Sequence, residues 1–526
     1  MKENVKEINL DIHNHYNDLP YKSSVHLYTA PQRIAAVAAL YGLENPPLEN
    51  ARILELGCSF GANSIPTAIY YPQSKIVGVD LSVKQIEFAQ KAAEFIQLDN
   101  ITFLQKDICE ITAEFGVFDY IICHGVYSWV PQEVQKAIRR VCRECLAPNG
   151  LALISYNTYP GWKGKEILRD IMRYSAGNIL EEVTKVEYGV SFLEFLKKNT
   201  NTNLVKTVLD SHFDRINSAS KSYISHEYFE KFNSPQYFHE FIKEIQEDGL
   251  TFVAESNLNG VISPLGDEAD KIISNECAGD WVKYQQYFDY VANTTFRSSI
   301  LCHKELEEQI MRSKNIKYTS LEKVHVSGKF LYDQEKACYR SVETGNFVGS
   351  QQPKFIEAIN NAFPATLSVK EFMDNYKQTL SEDERSDKLA AMYFYVAQVI
   401  FSNILDVTIK PIKSVEYSLQ YPKINEKIRL LAEFLVIEGT RNISMFTSLY
   451  KTYNKEEPML PYILSKLDGK HTKKEIVEFV LGVVERKEVL FHVNNNVLTD
   501  MNDIIKSSEN LVDTIISDMQ FYGMLE

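Results

Sequence analysis

Five short apolar runs alternate with helical stretches between residues 51 and 157, and this alternation limits the possible folds more than any other feature. Parallel strands that are covered on both faces read as continuous apolar runs, and successive parallel strands need a crossover helix. The pattern therefore predicts an α/β chain with a doubly wound sheet, whose ligand lies beyond the carboxyl ends of the strands. The predicted strands are 52–57, 75–80, 101–107, 118–125 and 150–157.

Helical patterns with little strand character run from about residue 165 to 220. We expect this stretch to be an insertion into the sheet, serving as a lid or a dimer contact. The segments 223–229 and 249–256, with a helix between them, return to mixed α/β character and are expected to complete the sheet. Mainly helical domains should then make up the C-terminal half.

A chain of 526 residues is too long for one hydrophobic core, because domains usually contain ~100–200 residues. We expect five units, in this order: a Rossmann-like cofactor-binding domain, the helical insertion, the end of the sheet with a regulatory domain, a middle domain, and a C-terminal helical domain. Their predicted bounds are 1–164, 165–220, 221–305, 306–410 and 411–526.

The formal net charge of −14 disfavours nucleic acid as a partner, since proteins that bind phosphate backbones generally carry a basic patch. It suits a lysine-rich protein better. No segment approaches the ~18 continuous apolar residues of a membrane span, and the first residues lack a signal peptide, so we expect a cytoplasmic protein without membrane insertion. Cys142 and Cys145 form a single CxxC, which is weak support for zinc, and we predict no metal site.

Polar and glycine residues at the predicted strand ends carry the binding chemistry. Gly57 and Gly61 bracket the turn after the first strand, where missing side chains let backbone amides approach a ligand. Asp80 closes the second strand, at the position where a carboxylate can accept both ribose hydroxyls. Asp107 and Ile108 end the third strand and suit an adenine, the first by accepting from its amine and the second by packing on its ring.

Nicotinamide, flavin and S-adenosylmethionine enzymes compete for this pattern. Dinucleotide enzymes favour G-x-G-x-x-G, because closely spaced glycines make room for a pyrophosphate. Here the turn reads ELGCSFG, and Glu55 would repel a pyrophosphate while it can anchor the amino group of a methionine moiety. The residues favour S-adenosylmethionine as the cofactor.

With these motifs the region 15–160 resembles the class I methyltransferases. The family pattern has a third glycine where this chain has Ser59. The resemblance implies that further residues line the cofactor site and that Tyr16 and Tyr21 fold over it. His124 is one of these lining residues, and the alternative is that its side chain only caps a strand end. The implied lining residues are Cys58, Ser59, Asn63, Leu81, Gln85, His124 and Gly125.

Later segments are similar to the methyltransferase regulatory domain found after some bacterial methyltransferase domains. They include YISHEYF, NSPQYFHEF, GLTFVAES and the stretch 281–303, and the segments NDLPYKSSVHLYTAPQRIAAVAALYG and YNTYPGW match the same group. The segment 463–482 resembles the small C-terminal helical module of that family. Over the whole chain the resemblance is to the rickettsial protein lysine methyltransferases, which implies methylation of lysines in the autotransporter outer membrane protein B.

A lysine amine must be neutral to accept a methyl group, and burial among apolar walls lowers its pKa from the usual ~10.4. Aromatic side chains that follow the fourth and fifth strands are placed to form such a pocket, although core packing is the alternative for half of them. They are Tyr127, Trp129, Tyr156, Tyr159 and Trp162. The rival functions are a small-molecule methyltransferase and a scaffold that binds S-adenosylmethionine without turnover.

Overall fold

Seven strands form the central sheet of the computed structural model, which describes residues 23–258, 267–312, 317–440, 444, 446–447, 451, 457–493 and 496–526. These strands are β1 (Arg52–Leu56), β2 (Lys75–Asp80), β3 (Ile101–Gln105), β4 (Phe118–Cys123), β5 (Leu146–Asn157), β6 (Leu250–Glu255) and β7 (Phe296–His303). They lie in the order β3-β2-β1-β4-β5-β7-β6. Strands β1 to β5 are parallel, whereas β7 runs antiparallel to both of its neighbours. The predicted α/β class and its five parallel strands are confirmed.

Helices cover both faces of this sheet. Those that belong to the first half are α1 (Pro31–Leu40), α2 (Ser64–Tyr70), α3 (Val83–Phe95), α4 (Gln132–Cys145), α5 (Trp162–Ala176), α6 (Glu182–Asn199), α7 (Asn203–Ser218), α8 (Lys221–Ile224), α9 (Phe238–Glu247), α10 (Asp267–Cys277) and α11 (Trp281–Ala292). Helix α3 begins where the Ser82 hydroxyl accepts from the Gln85 amide, and its Ile86, Ala89 and Ala93 side chains are buried. Cys142 and Cys145 are buried on α4.

One prediction about the end of the sheet was wrong, whereas the segment 249–256 contains β6 as expected. The segment 223–229 is helical, because Lys221–Ile224 forms α8 and Ser225–Phe229 continues it as a π-helical turn. The seventh strand is instead β7, where Arg297 sits within the sheet. Its guanidinium is buried between the carboxylates of Glu255 (2.9 Å) and Asp289 (2.8 Å), so two ion pairs compensate a charge that interrupts the apolar pattern.

Helices α5, α6, α7 and α8 form a separate helical layer between β5 and β6 in the chain. Their core contains Leu168, Met172, Leu193 and Leu209. Phe229 at the end of the π-helical turn packs into the same core, so the turn is fixed against α5 and α6. The helical insertion predicted from the sequence is therefore a compact layer with its own apolar core.

The C-terminal half contains small sheets among helices. Its strands are β8 (His325–Ser327), β9 (Phe330–Asp333), β10 (Cys338–Ser341), β11 (Phe347–Gly349), β12 (Leu367–Ser368), β13 (Asp406–Thr408), β14 (His492–Val493) and β15 (Asn496–Val497). Its helices are α12 (Tyr318–Leu321), α13 (Pro353–Ala362), α14 (Val369–Gln378), α15 (Glu382–Phe401), α16 (Glu426–Ile437), α17 (Leu460–Ser465), α18 (Lys473–Glu485) and α19 (Met501–Phe521). None of the helices in the described ranges is both long and apolar enough to cross a membrane.

The C-terminal half packs directly on the cofactor-binding half. Phe434 of α16 lies between Phe88 and Phe95 of α3, with ring centroids 5.2 and 5.6 Å apart. Arg33 of α1 is buried and donates to the Ser256 carbonyl and to Asn403, each at 2.8 Å. The two halves share one continuous apolar core.

Candidate functional site

A cavity of about 540 Å³ lies at the carboxyl ends of β1, β2, β3 and β4. The described residues that the sequence assigned to the cofactor line it, with Gly61 as the exception. Tyr16 and Tyr21 lie outside the described residues. The predicted residues that line it are Glu55, Gly57, Cys58, Ser59, Asn63, Asp80, Leu81, Gln85, Asp107, Ile108, His124 and Gly125. The sheet therefore gathers side chains from four strand ends into one space.

The turn after β1 depends on left-handed backbone conformations. Gly57 has a φ of 74°, and Ser59, which replaces the third glycine of the family pattern, has a φ of 51°. The Ser59 amide donates to Asp80 Oδ2 at 2.9 Å, and this hydrogen bond holds the strained residue in place. A serine at this position is thus compatible with the tight turn.

Gly61 ends the turn after β1 and packs against Phe103. Its φ is 83°, and its amide donates to the Cys58 carbonyl at 2.8 Å. A Cβ atom there would lie 2.6 Å from the Phe103 ring, so a side chain does not fit. Gly61 therefore packs against the core, while the preceding residues of the turn line the cavity.

Glu55 is buried at the end of β1 and accepts hydrogen bonds from Asn63 Nδ2 (3.2 Å) and from the Ser64 hydroxyl. Burial raises the pKa of Glu55 to about 7, although both hydrogen bonds act in the opposite direction. Asn63 also accepts from the His26 amide and the Thr29 hydroxyl, each at 3.1 Å. This network fixes the residues after Ser23 against the cofactor turn.

The two aspartates end neighbouring strands. Asp80 Oδ1 accepts from the Ser82 amide at 2.9 Å, and Asp107 Oδ1 accepts from the Cys109 amide at 2.9 Å. These backbone bonds orient each carboxylate at the cavity wall. Together with Glu55 they make one side of the cavity acidic, which suits a ligand with cationic groups and hydroxyls.

An aromatic cluster forms another part of the wall, and of its members only His124 was predicted from the sequence. His124 Nδ1 lies 2.8 Å from the Ser155 hydroxyl, and its ring contacts His26, Tyr28 and Phe296 at centroid distances of 4.4, 5.3 and 6.0 Å. Burial lowers the pKa of His26 to about 4 and that of His124 well below its usual value. Both rings are therefore neutral at physiological pH. The matched segment 17–42 was the one available signal for His26 and Tyr28.

The five predicted aromatic residues separate into two groups. Trp129 and Trp162 line the cavity and meet edge to face, with ring centroids 5.9 Å apart. Tyr127 and Tyr156 do not line it, and their prediction as pocket walls is corrected. Side chains alternate along a strand, so Asn157 faces the cavity while Tyr156 points to the opposite face of the sheet, where it stacks on Phe241 at 4.1 Å.

The hydroxyl groups of Tyr127 and Tyr159 have polar partners outside the cavity. The Tyr127 hydroxyl accepts from Arg139 at 2.6 Å and donates to Glu244 at 3.2 Å. The Tyr159 hydroxyl donates to Glu166, and Tyr159 lies outside the cavity wall. The position of Tyr127 after a strand end could not reveal its polar partners, which lie on α4 and α9.

Beyond the two tryptophans the cavity ends against the helical insertion. This end carries charged and polar side chains that the sequence analysis did not single out, namely Lys165, Arg215, Tyr223, His226 and Glu227. Lys165 Nζ lies 2.8 Å from Glu227 Oε1 and 4.6 Å from the Trp162 ring centroid. The cavity thus joins an acidic, aromatic end at the sheet to a charged end at the insertion.

Three families match separate parts of the chain. They are described as "Methyltransferase domain" over residues 53–150, "Predicted methyltransferase regulatory domain" over 220–303, and "PKMT, C-terminal winged helix domain" over 421–523. The structure of PKMT2 from Rickettsia typhi in complex with AdoHcy superimposes with a TM-score of 0.80 and 26% identity, covering 96% of this chain and 100% of that one. This chain belongs to the class I methyltransferases that carry a regulatory domain. Its cofactor is S-adenosylmethionine.

Two proteins of Rickettsia prowazekii are similar to this methyltransferase. Uncharacterized protein RP789 is 29% identical over 528 residues, which cover 96% of this chain and 92% of that protein. Uncharacterized protein RP028 is 36% identical over 234 residues, which cover 44% of this chain and 94% of that protein. The resemblance to rickettsial proteins that the sequence indicated therefore extends over nearly the whole chain.

The residues of the cavity fit the cofactor. A Cβ atom on Gly125 would have no other atom within 4 Å, so the backbone there borders open space rather than packed core. Three carboxylates stand at successive strand ends around that space. S-adenosylmethionine carries an amino group, a sulfonium and two ribose hydroxyls, and each of these groups interacts favourably with a carboxylate or an aromatic face.

Proposed function

We propose that this methyltransferase transfers methyl groups to lysine side chains of a protein. The observation that carries the proposal is the position of Trp129 and Trp162, which line the cavity between the cofactor residues and the charged end. Aromatic faces attract an alkylammonium or a sulfonium cation, and contact with them removes water from the amine. Such walls suit a lysine side chain better than an anionic small molecule.

We assign residues of the cavity to the amino group, the ribose hydroxyls and the adenine of the cofactor. When bound, S-adenosylmethionine supplies a sulfonium methyl group to the acceptor. Glu55 anchors the amino group, Asp80 accepts from the ribose hydroxyls, and Asp107 with Ile108 holds the adenine. Gly57 and Gly125 let the backbone come close to the ligand, as expected for residues without a side chain.

Protein as the substrate class is supported by three observations. The chain matches a winged helix family described by the name PKMT, and the structure with a TM-score of 0.80 is that of a protein called PKMT2. The formal net charge of −14 favours lysine-rich partners. Following the resemblance to the rickettsial enzymes, we propose a bacterial outer membrane autotransporter as the substrate, modified in the cytoplasm before export.

A homodimer is part of the same proposal. Tyr174 and Leu180 of the helical insertion are 90% and 93% exposed, which is unusual for large apolar side chains. A second copy that covers this surface would bury both of them. Analytical ultracentrifugation of Leu180→Glu and of the unchanged protein tests the contact, and an unchanged monomer fraction would contradict it.

A labelling experiment tests the proposed reaction. The protein is incubated with methyl-labelled S-adenosylmethionine and a bacterial lysate, which is then separated into protein, nucleic acid and small solutes. We expect label in protein and N-methyl-lysine in acid hydrolysates. Label confined to small solutes would establish a small-molecule methyltransferase instead, and cofactor binding without any transfer would establish a binding scaffold.

A further inference from the structure

Phe60 carries the one aromatic ring of the glycine turn and lies outside the cavity wall. Its side chain is 3% exposed and meets the ring of Phe88 edge to face, with centroids 5.2 Å apart. Ser59, directly before it, lines the cavity and has the left-handed φ of 51°. A turn that holds a residue other than glycine in this region persists only where its surroundings fix it. The contact between Phe60 and Phe88 is part of those surroundings.

Phe88 connects the glycine turn to the helix that begins beside it. It lies on α3, one turn after Gln85, and both Ser82 and Gln85 at the start of that helix line the cavity. Residues three apart share one face of a helix, so a displacement of Phe88 shifts the first turn of α3 as well as the ring of Phe60. Phe88 therefore supports two parts of the cofactor wall.

The C-terminal half supplies the ring that holds Phe88. Phe434 of α16 is 3% exposed, and its centroid lies 5.2 Å from that of Phe88 and 5.6 Å from that of Phe95. The Lys427 ammonium, two turns earlier on α16, donates to the Gln97 carbonyl just past the end of α3 at 2.8 Å. Interiors packed to the density of a crystal transmit a displacement from one side chain to the next. A movement of α16 therefore reaches the glycine turn.

The same half of the chain reaches the cavity at a second place. Ser24 lines the cavity, and its hydroxyl lies 3.1 Å from the hydroxyl of Ser444, whose amide donates to the Ser23 carbonyl at 3.1 Å. Ser24 is followed closely by His26, whose amide donates to Asn63 of the cavity wall at 3.1 Å. The C-terminal half thus supports the cofactor site through two separate segments.

We propose that Phe434 is a positioning residue for the cofactor and that the C-terminal half thereby sets how tightly S-adenosylmethionine is held. Phe434 holds Phe88, and Phe88 fixes both the glycine turn through Phe60 and the first turn of α3. This role depends on S-adenosylmethionine as the cofactor and not on which acceptor is methylated. By thermodynamic linkage, occupation of the cavity stabilises the contact between α16 and α3 in return.

A Phe434→Leu variant removes the ring and keeps an apolar side chain on α16. We expect calorimetric titration to show S-adenosylhomocysteine binding weakened about 3- to 30-fold, the usual range for a change along a coupled chain of side chains. The matched control is Phe355→Leu on α13, because Phe355 is also buried in the C-terminal half but packs on Phe372 and Tyr395. Circular dichroism establishes that both variants are folded at the temperature of the titration. Wild-type affinity in Phe434→Leu, or the same loss in Phe355→Leu, would overturn the proposal.

Steady-state kinetics with the labelled protein acceptor separate a positioning role from a loss of folded protein. Fewer folded molecules lower kcat and leave the KM for S-adenosylmethionine unchanged, whereas a displaced turn raises that KM. For Phe434→Leu we expect KM to rise by the same factor as Kd, with kcat at saturating cofactor changed less than about twofold. A fall in kcat with an unchanged KM would contradict the role of Phe434. Absence of transfer by the unchanged protein would count against the proposed function alone, and the titrations would still decide the role of Phe434.

A double-mutant cycle tests whether Phe88 transmits the effect. Phe60→Leu and Phe434→Leu are titrated with S-adenosylhomocysteine singly and together. Residues that act through a shared partner give non-additive free energies, so the double variant should bind no more than about threefold more weakly than the weaker of the two single variants. Two losses that multiply in full would show that Phe434 acts independently of the turn, which would overturn the proposal.

Hydrogen exchange tests the linkage in the unchanged protein. Saturation with S-adenosylhomocysteine should slow exchange of the α16 amides at least about threefold more than that of the α13 amides. Equal slowing in the two helices, or none in α16, would overturn the proposal. Because this measurement needs no variant, it decides the question even if Phe434→Leu does not fold.

Discussion

Gly125 offers a test in which protein stability and cofactor binding separate cleanly. Its φ is 70°, and a Cβ atom there would meet nothing within 4 Å because it points into the cavity. Gly345, in the connection between β10 and β11, has a φ of 71° and equally open surroundings, but it lies outside the cavity wall. An alanine at either position therefore suffers the same backbone strain, about 1–2 kcal/mol.

The two variants should differ in binding alone. Gly125→Ala adds a methyl group to the space that we assign to the cofactor, and overpacking of a fitted site costs about 1–3 kcal/mol, or roughly 5- to 150-fold in Kd. Gly345→Ala should bind with unaltered affinity. Urea denaturation measures the stabilities and calorimetric titration with S-adenosylhomocysteine measures the affinities. Equal Kd values for both variants would refute the placement of the ligand beside Gly125.

Three more predictions concern two cofactor residues and the packing of the C-terminal half on the cofactor-binding half. Asp80→Asn should weaken S-adenosylhomocysteine binding by about 1–3 kcal/mol in calorimetry, because the ribose loses a charged acceptor, and an unchanged Kd would remove that role. Burial raises the pKa of Glu55 to about 7, so between its unfolded value of 4.5 and 7 the folded protein holds an extra proton. Folding stability contributed by this proton declines as pH rises through that window, whereas binding of a cationic amino group expels the proton and should tighten with pH up to about 7. Proton release measured in buffers of different ionisation enthalpy checks this, and Glu55→Gln should abolish it. Phe434→Ala should lower the free energy of unfolding by about 3–5 kcal/mol, since the ring is buried between Phe88 and Phe95, while Phe394→Ala, which alters a 63% exposed ring, should change it little in denaturant titrations.

The sheet and its cofactor residues could be predicted because both follow from local pattern. Continuous apolar runs identified β1 to β5, and strand ends are where such sheets bind ligands. Strand β7 escaped prediction because buried Arg297 interrupts its apolar pattern. Its compensating partners are Asp289 on the preceding helix and Glu255, which is 42 residues away on β6. Local patterns cannot show a charge that long-range ion pairs neutralise.

Local sequence patterns also could not identify the residues at the end of the cavity beside the helical insertion. Tyr156 and Asn157 are neighbours in sequence, yet one faces the core and the other the cavity, and only the register of β5 decides between them. Lys165, His226 and Glu227 carry no motif that sets them apart from ordinary helix residues. They meet because the helical insertion folds back over the sheet, which is a property of packing and not of spacing.

One contact between residues that are far apart in sequence affects the order in which the cavity wall can form during synthesis. Ser23 and Ser24 line the cavity, the Ser24 hydroxyl bonds to Ser444 across 420 positions of sequence, and the Ser444 amide donates to the Ser23 carbonyl. Ribosomes add about 5–20 residues per second, so Ser444 emerges on the order of 20–80 s after its partner. A nascent chain can form the glycine turn early, but the wall that contains Ser23 and Ser24 acquires this anchor only after residue 444 has been made. Termination before residue 444 would therefore release a chain whose cofactor cavity lacks this contact.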